Sequence, residues 1–404
     1  MPISVARRIV VRDLTTQGYI DKVVEYDTIQ KVCYRTGAII EPLITKQWFV
    51  DMKKLAEMSN ELVEKGEIKL YPENQINNYN SWINNIRPWC ISRQLIWGHQ
   101  IPIFNCPICN HQIASVNSTE YCKQCLANSK ENILMMQETD VLDTWFSSWL
   151  WPYGVFNSDE IDYYFPTDVL ITGSDILFFW VIKMIFAAKY MKNSKPFNKV
   201  YLHGIVRDES NKKMSKSTGN VIDPLYLINK FGCDPVRFSL LMTTPYSSDV
   251  PISEKTFDIG KTFCTKFWNV VRYVQSIIIN NQEGWSNNII KQIEVNYQQI
   301  SNDKDHLMSN DKDYIMFSKF NKVKANIISK LDEFEFSKAT RELYSWLWDD
   351  LANDYLEYTK TIIESKKYLL FYLVYNTIEI AHPFIPHITS EMKEKLDDAL
   401  NHVV

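Results

Sequence analysis

Nine consecutive residues, Lys212-Lys213-Met214-Ser215-Lys216-Ser217-Thr218-Gly219-Asn220, hold the densest chemistry in the chain. Lysines separated by small hydroxyl residues make a cationic loop rich in donors. Such a loop can fold over a polyphosphate and neutralise charge that develops as a phosphoryl or adenylyl group is transferred. A solvated basic loop is the plain alternative for any lysine-rich stretch. Two more groups have telling types and spacing. Cys106-Pro107-Ile108-Cys109 and Cys122-Lys123-Gln124-Cys125 are CxxC pairs twelve residues apart. Four thiolates so spaced suit tetrahedral zinc. They leave no open position, so the metal would be structural; four free thiols are the alternative. His111 is a spare ligand of the right type or a surface residue. Gly173-Ser174-Asp175 follows a short apolar run. Gly173 lets a ligand approach the backbone, and Asp175 can accept hydrogen bonds from ribose hydroxyls. Helix capping by Ser174 or Asp175 coexists with that role.

The elements that must position these residues follow from pattern. Asp168–Thr172 and Val200–His203 read as buried strands, with a helix over Ser174–Met191 between them. Strand, helix, strand at this spacing gives a βαβ unit and a parallel sheet, whose carboxyl-terminal strand ends are where open α/β sheets bind ligands. After Val206 the chain is polar from Arg207 to Val221. Asp223-Pro224 then reads as helix cap and first turn, with a stop near Phe231-Gly232 and a new start at Asp234-Pro235. Residues 46–66 look helical, with apolar positions at Phe49, Met52, Leu55, Met58 and Leu62 and Gly66 as the stop. Residues 1–45 mix short β-like runs, Arg8–Val11 and Ala38–Ile40, with polar turns. From Ser253 onward the texture is that of a helix bundle. It has a long helix carrying Phe257, Phe263, Phe267, Val270, Val271 and Val274, then a polar Asn-rich connector over 280–312. Helices over Tyr314–Leu331 and Ser337–Glu364 and a last pair ending near Leu400 complete it. Cys90, Cys233 and Cys264 read as packing residues.

Composition excludes several classes. The 404 residues contain only 11 glycines, the closest two being Gly219 and Gly232. Neither a GxGxxG turn nor a GxxxxGK phosphate loop fits that spacing. The net charge is −4, so there is no bulk basic field for nucleic acid. Residues 261–404 carry 17 basic and 20 acidic side chains, which favours shape and stacking over bulk attraction for any RNA partner. The start, MPISVARRIVVRDL, has no apolar core of signal-peptide length, and the most apolar run, 176–182, is too short to span a bilayer. A soluble, cytoplasmic protein without membrane contact is expected.

Lys213–Ser217 reads KMSKS, preceded by Gly204-Ile205-Val206-Arg207-Asp208. This resembles the class I aminoacyl-tRNA synthetases. Trp89-Cys90-Ile91-Ser92-Arg93-Gln94 with Trp97-Gly98-His99 is similar to their branched-aliphatic subgroup. Leu142-Asp143-Thr144-Trp145-Phe146-Ser147-Ser148 and Thr172–Trp180 look like the valyl form, and Ala381-His382-Pro383-Phe384-Ile385-Pro386 like the end of the helical anticodon-binding domain. The resemblance implies an α/β plus all-α fold. Residues 46–250 would be the second half of a Rossmann-like catalytic domain, with a zinc knuckle at 104–127 and the KMSKS loop at 207–221. A helical anticodon-binding domain would cover 251–404, and residues 1–45 would close an editing insertion. The implied activity is ATP-dependent activation of valine and its transfer to tRNA-Val. Lys213 and Lys216 would act in catalysis. Gly173, Asp175, His203, Gly204, Lys213, Met214, Ser215, Lys216 and Ser217 would bind ATP, used with Mg2+. Trp145, Ile176 and Trp180 would wall the aliphatic pocket, although as isolated aromatics the two tryptophans read as core. Cys106, Cys109, Cys122 and Cys125 would hold Zn2+. Arg93 is a candidate for tRNA contact. Cys33-Tyr34-Arg35-Thr36-Gly37 resembles a family knuckle that often has a second cysteine where Thr36 stands, so a second site of that kind is not expected.

The family's HIGH-like motif is missing. No two of the seven histidines, at 99, 111, 203, 306, 382, 387 and 402, are three apart. The chain therefore resembles a C-terminal portion, whether from a split gene, a truncated gene or a relic. A half-sheet would expose a strand edge and an apolar face, so the missing N-terminal half is an expected partner. A non-catalytic tRNA-binding fragment and isoleucyl specificity remain as alternatives.

Overall fold

The computed structural model describes residues 2–33, 36–129, 131–215, 219–244, 248–281, 284–286, 288–301 and 311–403. The chain separates into two units, Met1–Trp48 and Phe49–Val404.

Among its described residues the first unit has one helix, α1 (Ile3–Thr16). The Arg8–Val11 run, expected to be β-like, lies inside it. Half-buried Val5, Ala6, Ile9 and Asp13 recur at helical spacing, so the period prevails over the β-branched composition. None of its residues is buried. Of the Ala38–Ile40 run, Ile39 makes a bridge to Val32, and Arg7 pairs with Glu41 at 2.7 Å.

The second unit opens with strand β1 (Phe49–Val50) and helix α2 (Met52–Glu64). The helix starts later than its apolar pattern suggests. Asp51 caps it by accepting from the Lys53 amide at 3.0 Å, and Phe49 is drawn into β1. Strand β2 (Lys69–Tyr71) and helix α3 (Gln75–Asn84) follow. Two short strands, β3 (Trp89–Cys90) and β4 (Ser92–Arg93), come next. A small antiparallel sheet, order β6-β5-β7, is built from β5 (Ile103–Asn105), β6 (Gln112–Ala114) and β7 (Met136–Gln137), with α4 (Lys123–Ser129) between the last two. Strand β8 (Val141–Leu142) pairs with β4, as β1 does with β3. Three short helices, α5 (Thr144–Ser148), α6 (Trp151–Gly154) and α7 (Ile161–Tyr164), then lead to the central layer.

That layer is the expected βαβ unit. It runs through β9 (Thr167–Gly173), a 3-10 turn at Ser174–Ile176, π-helical turns at Leu177–Val181, α8 (Ile182–Lys192) and β10 (Phe197–His203). The parallel sheet has the order β2-β10-β9. Every residue of α8 from Ile182 to Ala188 is buried, which is why its sequence shows no polar face. Each large apolar side chain so buried contributes ~1.5–3 kcal/mol. The β9 strand departs from expectation. It pairs only with β10 among the described residues, and Val169 and Ile171 are 37% and 59% exposed. Its apolar alternation marks a face with nothing against it in this sheet.

Beyond β10 come β11 (Val206–Arg207), α9 (Pro224–Phe231), α10 (Cys233–Thr243) and β12 (Val250–Pro251), which runs parallel to β11. Asp223 caps α9 through the Leu225 amide at 2.9 Å, as its sequence suggests. A 3-10 turn at Glu254–Phe257 leads into the helical half: α11 (Asp258–Asn280), α12 (Ile289–Ser301), α13 (Lys312–Asp332) and α14 (Phe336–Ser345). The chain continues through a π-helical stretch at Trp346–Leu356, α15 (Glu357–Thr359), α16 (Ile363–Ala381) and α17 (Pro386–Val403). The connector over 280–312, expected to be polar and Asn-rich, contains α12. Ile289 and Ile293 are buried, with Ile290 and Tyr297 packed beside them, at the spacing of one helical face. The single helix expected over Ser337–Glu364 is broken at Lys360–Ile362. Its π-helical turns set Trp346, Leu347, Leu351 and Tyr355 into the core. The bundle core is aromatic at its centre, where Phe238 of α10 stacks on Phe263 of α11 with centroids 4.0 Å apart. No helix among the described residues is long and apolar enough to cross a membrane.

Candidate functional site

The carboxyl ends of β9 and β10 lie side by side, with Gly173 opposite His203. Parallel pairing therefore brings together two motifs thirty residues apart in sequence. Asp175 sits in the 3-10 turn that β9 enters, and Lys213 reaches across to it, Nζ to Oδ2 at 3.6 Å. Both side chains are largely exposed, so this contact is available for exchange with a ligand. His203 donates from Nδ1 to the Gly204 carbonyl at 2.8 Å. Gly204 is fixed by a close approach: a Cβ there would lie 1.8 Å from the Ser248 carbonyl oxygen. Only glycine lets the chain after β10 pass under that segment.

The KMSKS loop is held by side chains that sequence reasoning did not place in the site. Asp208 turns the chain back, accepting from the Lys212 amide at 2.7 Å and from the Asn220 amide group at 2.7 Å. Asn220 also receives the Ser215 amide at 3.0 Å and donates to the Lys213 carbonyl at 3.3 Å. The Asn220 amide and the Lys212 backbone N–H hold the Asp208 carboxyl below its ordinary range. Asp249 fastens the base of the loop. It accepts from the Ile205 amide at 2.9 Å and from Arg207 Nε at 2.5 Å, and the Ile205 N–H, with Arg207 against the opposing burial, lowers its pKa. Met214 packs against a hydrophobic cluster that includes Leu227, Val250 and Phe257, so its side chain anchors the loop. Lys216 and Ser217 lie outside the described residues. The legible signals were Asp208 and Asn220, which flank the KMSKS run within the 207–221 loop.

A second centre adjoins the turns that follow β9. Trp145 on α5 lines a cavity of about 800 Å3 together with Trp82, Trp89, Phe178 and Phe179. Ile176 and Trp180, expected to share a pocket with Trp145, are not among its walls. Trp180 turns away to donate to the Ser148 carbonyl at 2.9 Å. Polar groups edge the cavity. Asp143 accepts from Arg93 at 2.6 Å and from Trp89 Nε1 at 3.1 Å, and caps α5 through the Trp145 amide. Lys183, 3% exposed, stands in the apolar run of α8 with its ammonium 3.5 Å from the Trp89 ring centroid. Burial pushes its pKa down to about 8, against the pull of Asp143. A lone lysine inside the apolar run Ile182–Ala188 is the sequence signal for this group.

The four cysteines of the knuckle converge. Their sulfurs all lie within 4.8 Å of one another, with Cys106 and Cys125 at 3.6 Å and Cys109 and Cys122 at 3.5 Å. Each CxxC closes a tight turn: Asn110, at φ 59°, donates to the Cys106 carbonyl, and the Leu126 amide to that of Cys122. Burial works to raise the Cys106 thiol, yet the N–H groups of Cys109 and Ile108 and two neighbouring thiols outweigh it and bring it to about 6. Burial, with the other three sulfurs, pushes Cys125 up. Phe104 and Met135 seal the cluster. His111 is not part of it. Tyr34 and Arg35 of the Cys33 knuckle lie outside the described residues, and no metal-ligand group among the described residues includes Cys33.

Comparison with known proteins gives these groups a context. The chain is 36% identical over 403 residues to the valine–tRNA ligase of Petrotoga mobilis, covering 97% of this chain and 44% of that protein. It is 37% identical to the valine–tRNA ligase of Thermotoga maritima and 38% to that of Clostridium tetani, each again covered to 43%. It thus spans less than half the length of these relatives. Among solved structures, Mycobacterium tuberculosis methionyl-tRNA synthetase in complex with methionyl-adenylate matches at a TM-score of 0.64 and 16% identity, over 90% of this chain and 65% of that one. A LeuRS of Agrobacterium radiobacter K84, from a ternary LeuRS-tRNA-LeuAMS complex, matches at 0.55 and 21% identity, over 77% and 40%. The anticodon-binding domain of tRNA ligases matches residues 313–402. The tRNA synthetases class I (I, L, M and V) match residues 8–253, and the chain belongs to that family.

Proposed function

We propose that the chain is the C-terminal portion of a valine–tRNA ligase, working in the cytoplasm with an N-terminal portion that supplies the HIGH-like motif. The reaction would have two steps. A valine carboxylate oxygen attacks the α-phosphorus of ATP, the bond to the β-phosphate oxygen breaks, and pyrophosphate leaves with Mg2+. A hydroxyl of the terminal ribose of tRNA-Val then attacks the carbonyl carbon of the adenylate, and AMP leaves. The observation that carries this reading is the convergence of Lys213 on Asp175 at 3.6 Å, at the paired ends of β9 and β10. Asp175 would take the ribose hydroxyls, with Gly173, His203 and Gly204 lining the nucleotide. Binding of ATP would release Lys213 from Asp175 to the phosphates, where it and Lys216 balance the charge of the departing pyrophosphate. Met214, Ser215 and Ser217 would shape the loop. Trp145, Ile176 and Trp180 would wall the valine side chain, which requires Trp180 to face a pocket completed by the N-terminal portion. Arg93 and the bundle would contact tRNA.

The four thiols fit zinc: all donors are sulfur, sit at mutual distances suited to a tetrahedral ion, and are sealed by apolar side chains. Zinc would supply a cross-link for the 103–137 segment, and Cys106, Cys109, Cys122 and Cys125 would hold it.

The test is valine-dependent ATP–pyrophosphate exchange by this chain combined with the N-terminal portion of a close relative, with isoleucine and threonine as controls. Exchange with valine, reduced ~10²–10³-fold by Lys213→Ala, is the expected result. No exchange from the combined chains while tRNA still binds would replace this reading with a binding module.

A further inference from the structure

A second set of metal-ligand side chains lies at the joint between α10 and α17. The Cys233 sulfur, an Asp234 carboxylate oxygen and a His387 ring nitrogen all lie within 4.8 Å of one another. Cys233 and Asp234 form the first turn of α10, and His387 follows the Pro386 that opens α17. They line a cavity of about 430 Å3, also bordered by Lys261, Cys264 and Trp268. Asp234 is only 4% exposed. One of its oxygens accepts from the Ile388 amide at 2.6 Å. The other, Oδ1, is buried and has no hydrogen-bond partner.

That orphaned oxygen is the informative feature. A buried carboxylate oxygen without a donor is costly, and native structures rarely leave one so. A role as helix cap accounts for Oδ2 alone. The two side chains grouped with this carboxylate, a thiol and an imidazole, are both metal donors. We propose that Cys233, Asp234 and His387 form a second metal site, for a borderline divalent cation of the zinc type. A thiolate with an imidazole selects such ions over magnesium or calcium. Thiolate and carboxylate together balance a doubly charged ion. Donors around a tetrahedral ion sit ~3–4 Å apart, so the set has to close slightly. His387 is exposed and free to supply that movement. The fourth position opens to the cavity and would hold water. Cys233 is then a ligand rather than the packing residue its sequence suggested.

The site would pin the start of α10 to the start of α17. The same corner is already tied by Arg237, which donates to the carbonyls of Phe384 and Pro383 at 3.3 and 3.2 Å. A metal would extend that seam into a cross-link between the sheet-containing part of this unit and its last helix.

The test is titration of the metal-free, reduced chain with Co2+, following thiolate-to-cobalt charge transfer and total bound metal. The comparison is with His387→Ala, Cys233→Ser and, separately, Cys106→Ser/Cys122→Ser. His387→Ala alters an exposed side chain, so its fold is checked simply by circular dichroism. The wild-type chain is expected to bind two Co2+, and His387→Ala and Cys233→Ser one each. The cluster variant is expected to keep one, which His387→Ala then removes or weakens at least tenfold. The melting temperature of the His387→Ala chain should gain less from Co2+ than that of the wild type. Equal stoichiometry and equal affinity in the wild-type and His387→Ala chains would overturn the site.

Discussion

Replacing Lys183 with methionine tests the reading of the aromatic cavity most directly. The lysine stem is buried in α8, and its ammonium faces Trp89 with Asp143 and Arg93 nearby. Its pKa falls from 10.5 to about 8. In full, that corresponds to ~3 kcal/mol between the charged and neutral forms. The ammonium tip opens into the cavity, so solvent reduces the figure to ~1–2 kcal/mol. The sign is fixed by linkage. Below about pH 8 both folded and unfolded chains hold the proton, and the folded state carries the whole penalty. As pH rises through about 8 the folded chain releases the proton while the unfolded chain keeps it, so folding becomes more favourable. Methionine cannot titrate, so the variant lacks this rise. Loss of the contact with Trp89, ~0.5–2 kcal/mol, shifts the variant by an amount that does not depend on pH below 8. Urea unfolding of both chains, followed by tryptophan fluorescence at about pH 7.5, 8.5 and 9.5, cancels all other titrations in the difference. The wild type should gain ~1–2 kcal/mol on the variant over that range. A difference independent of pH would refute a buried, charged Lys183.

Three further outcomes follow from contacts in the fold. Gly204→Ala places a methyl group 1.8 Å from the Ser248 carbonyl oxygen, so thermal melting should show a loss of ~1–3 kcal/mol from forced backbone movement. An unchanged melting temperature would contradict that close approach. Asn220→Ala removes the side chain that holds Ser215, Asp208 and Lys213 together. Loss of ~1.4 kcal/mol of local closure should speed trypsin cleavage after Lys212 and Lys213 about tenfold, and equal cleavage rates would show that the loop is held elsewhere. If Cys106, Cys109, Cys122 and Cys125 hold zinc as proposed, treating the purified chain with a chelator should expose their thiols to a thiol reagent. It should also raise amide exchange across 103–137, because a shared ion would cross-link the four sulfurs that cluster there. Protection that survives chelation would leave the fold of this segment to Phe104 and Met135 alone.

What could be read from the sequence was whatever local rules decide. The βαβ unit was legible because an apolar β-branched run, a helix-length segment and a second such run allow few other arrangements. The cap at Asp223 and the knuckle turns were legible for the same reason. Where two local rules disagreed, composition misled. The Ile9–Val11 run is β-branched, yet α1 forms because its half-buried positions repeat at helical spacing. The asparagines of the 280–312 connector masked the face of α12 that Ile289, Ile293 and Tyr297 present to the bundle. The burial of β9 was over-read. Val169 and Ile171 point to the same face of β9 and stay exposed, so the apolar pattern marked a face that could be covered without saying by what.

The site was legible in part for a different reason. Lys213, Asp175, Gly173 and His203 are separated by up to forty residues, and no periodicity links them. What links them is that parallel strands joined by a helix must end on the same edge of the sheet, so motifs that follow β9 and β10 meet there. A sequence reader who accepts the βαβ unit can place those four residues together before any coordinates. The supports escape that logic. Asp249 reaches Arg207 and Ile205 from a segment some forty residues later, and Asp234 meets His387 across more than one hundred and fifty. Nothing on either element announces the other. The first rests on the parallel pairing of β11 with β12 and the second on the packing of α10 against α17, so neither is set by any single run of residues. Two polar side chains with no legible partner, buried Lys183 in α8 and buried Asp234 at the start of α10, were the traces they left in the sequence. A charged residue inside an apolar context is costly enough that it has to be answered somewhere in the fold.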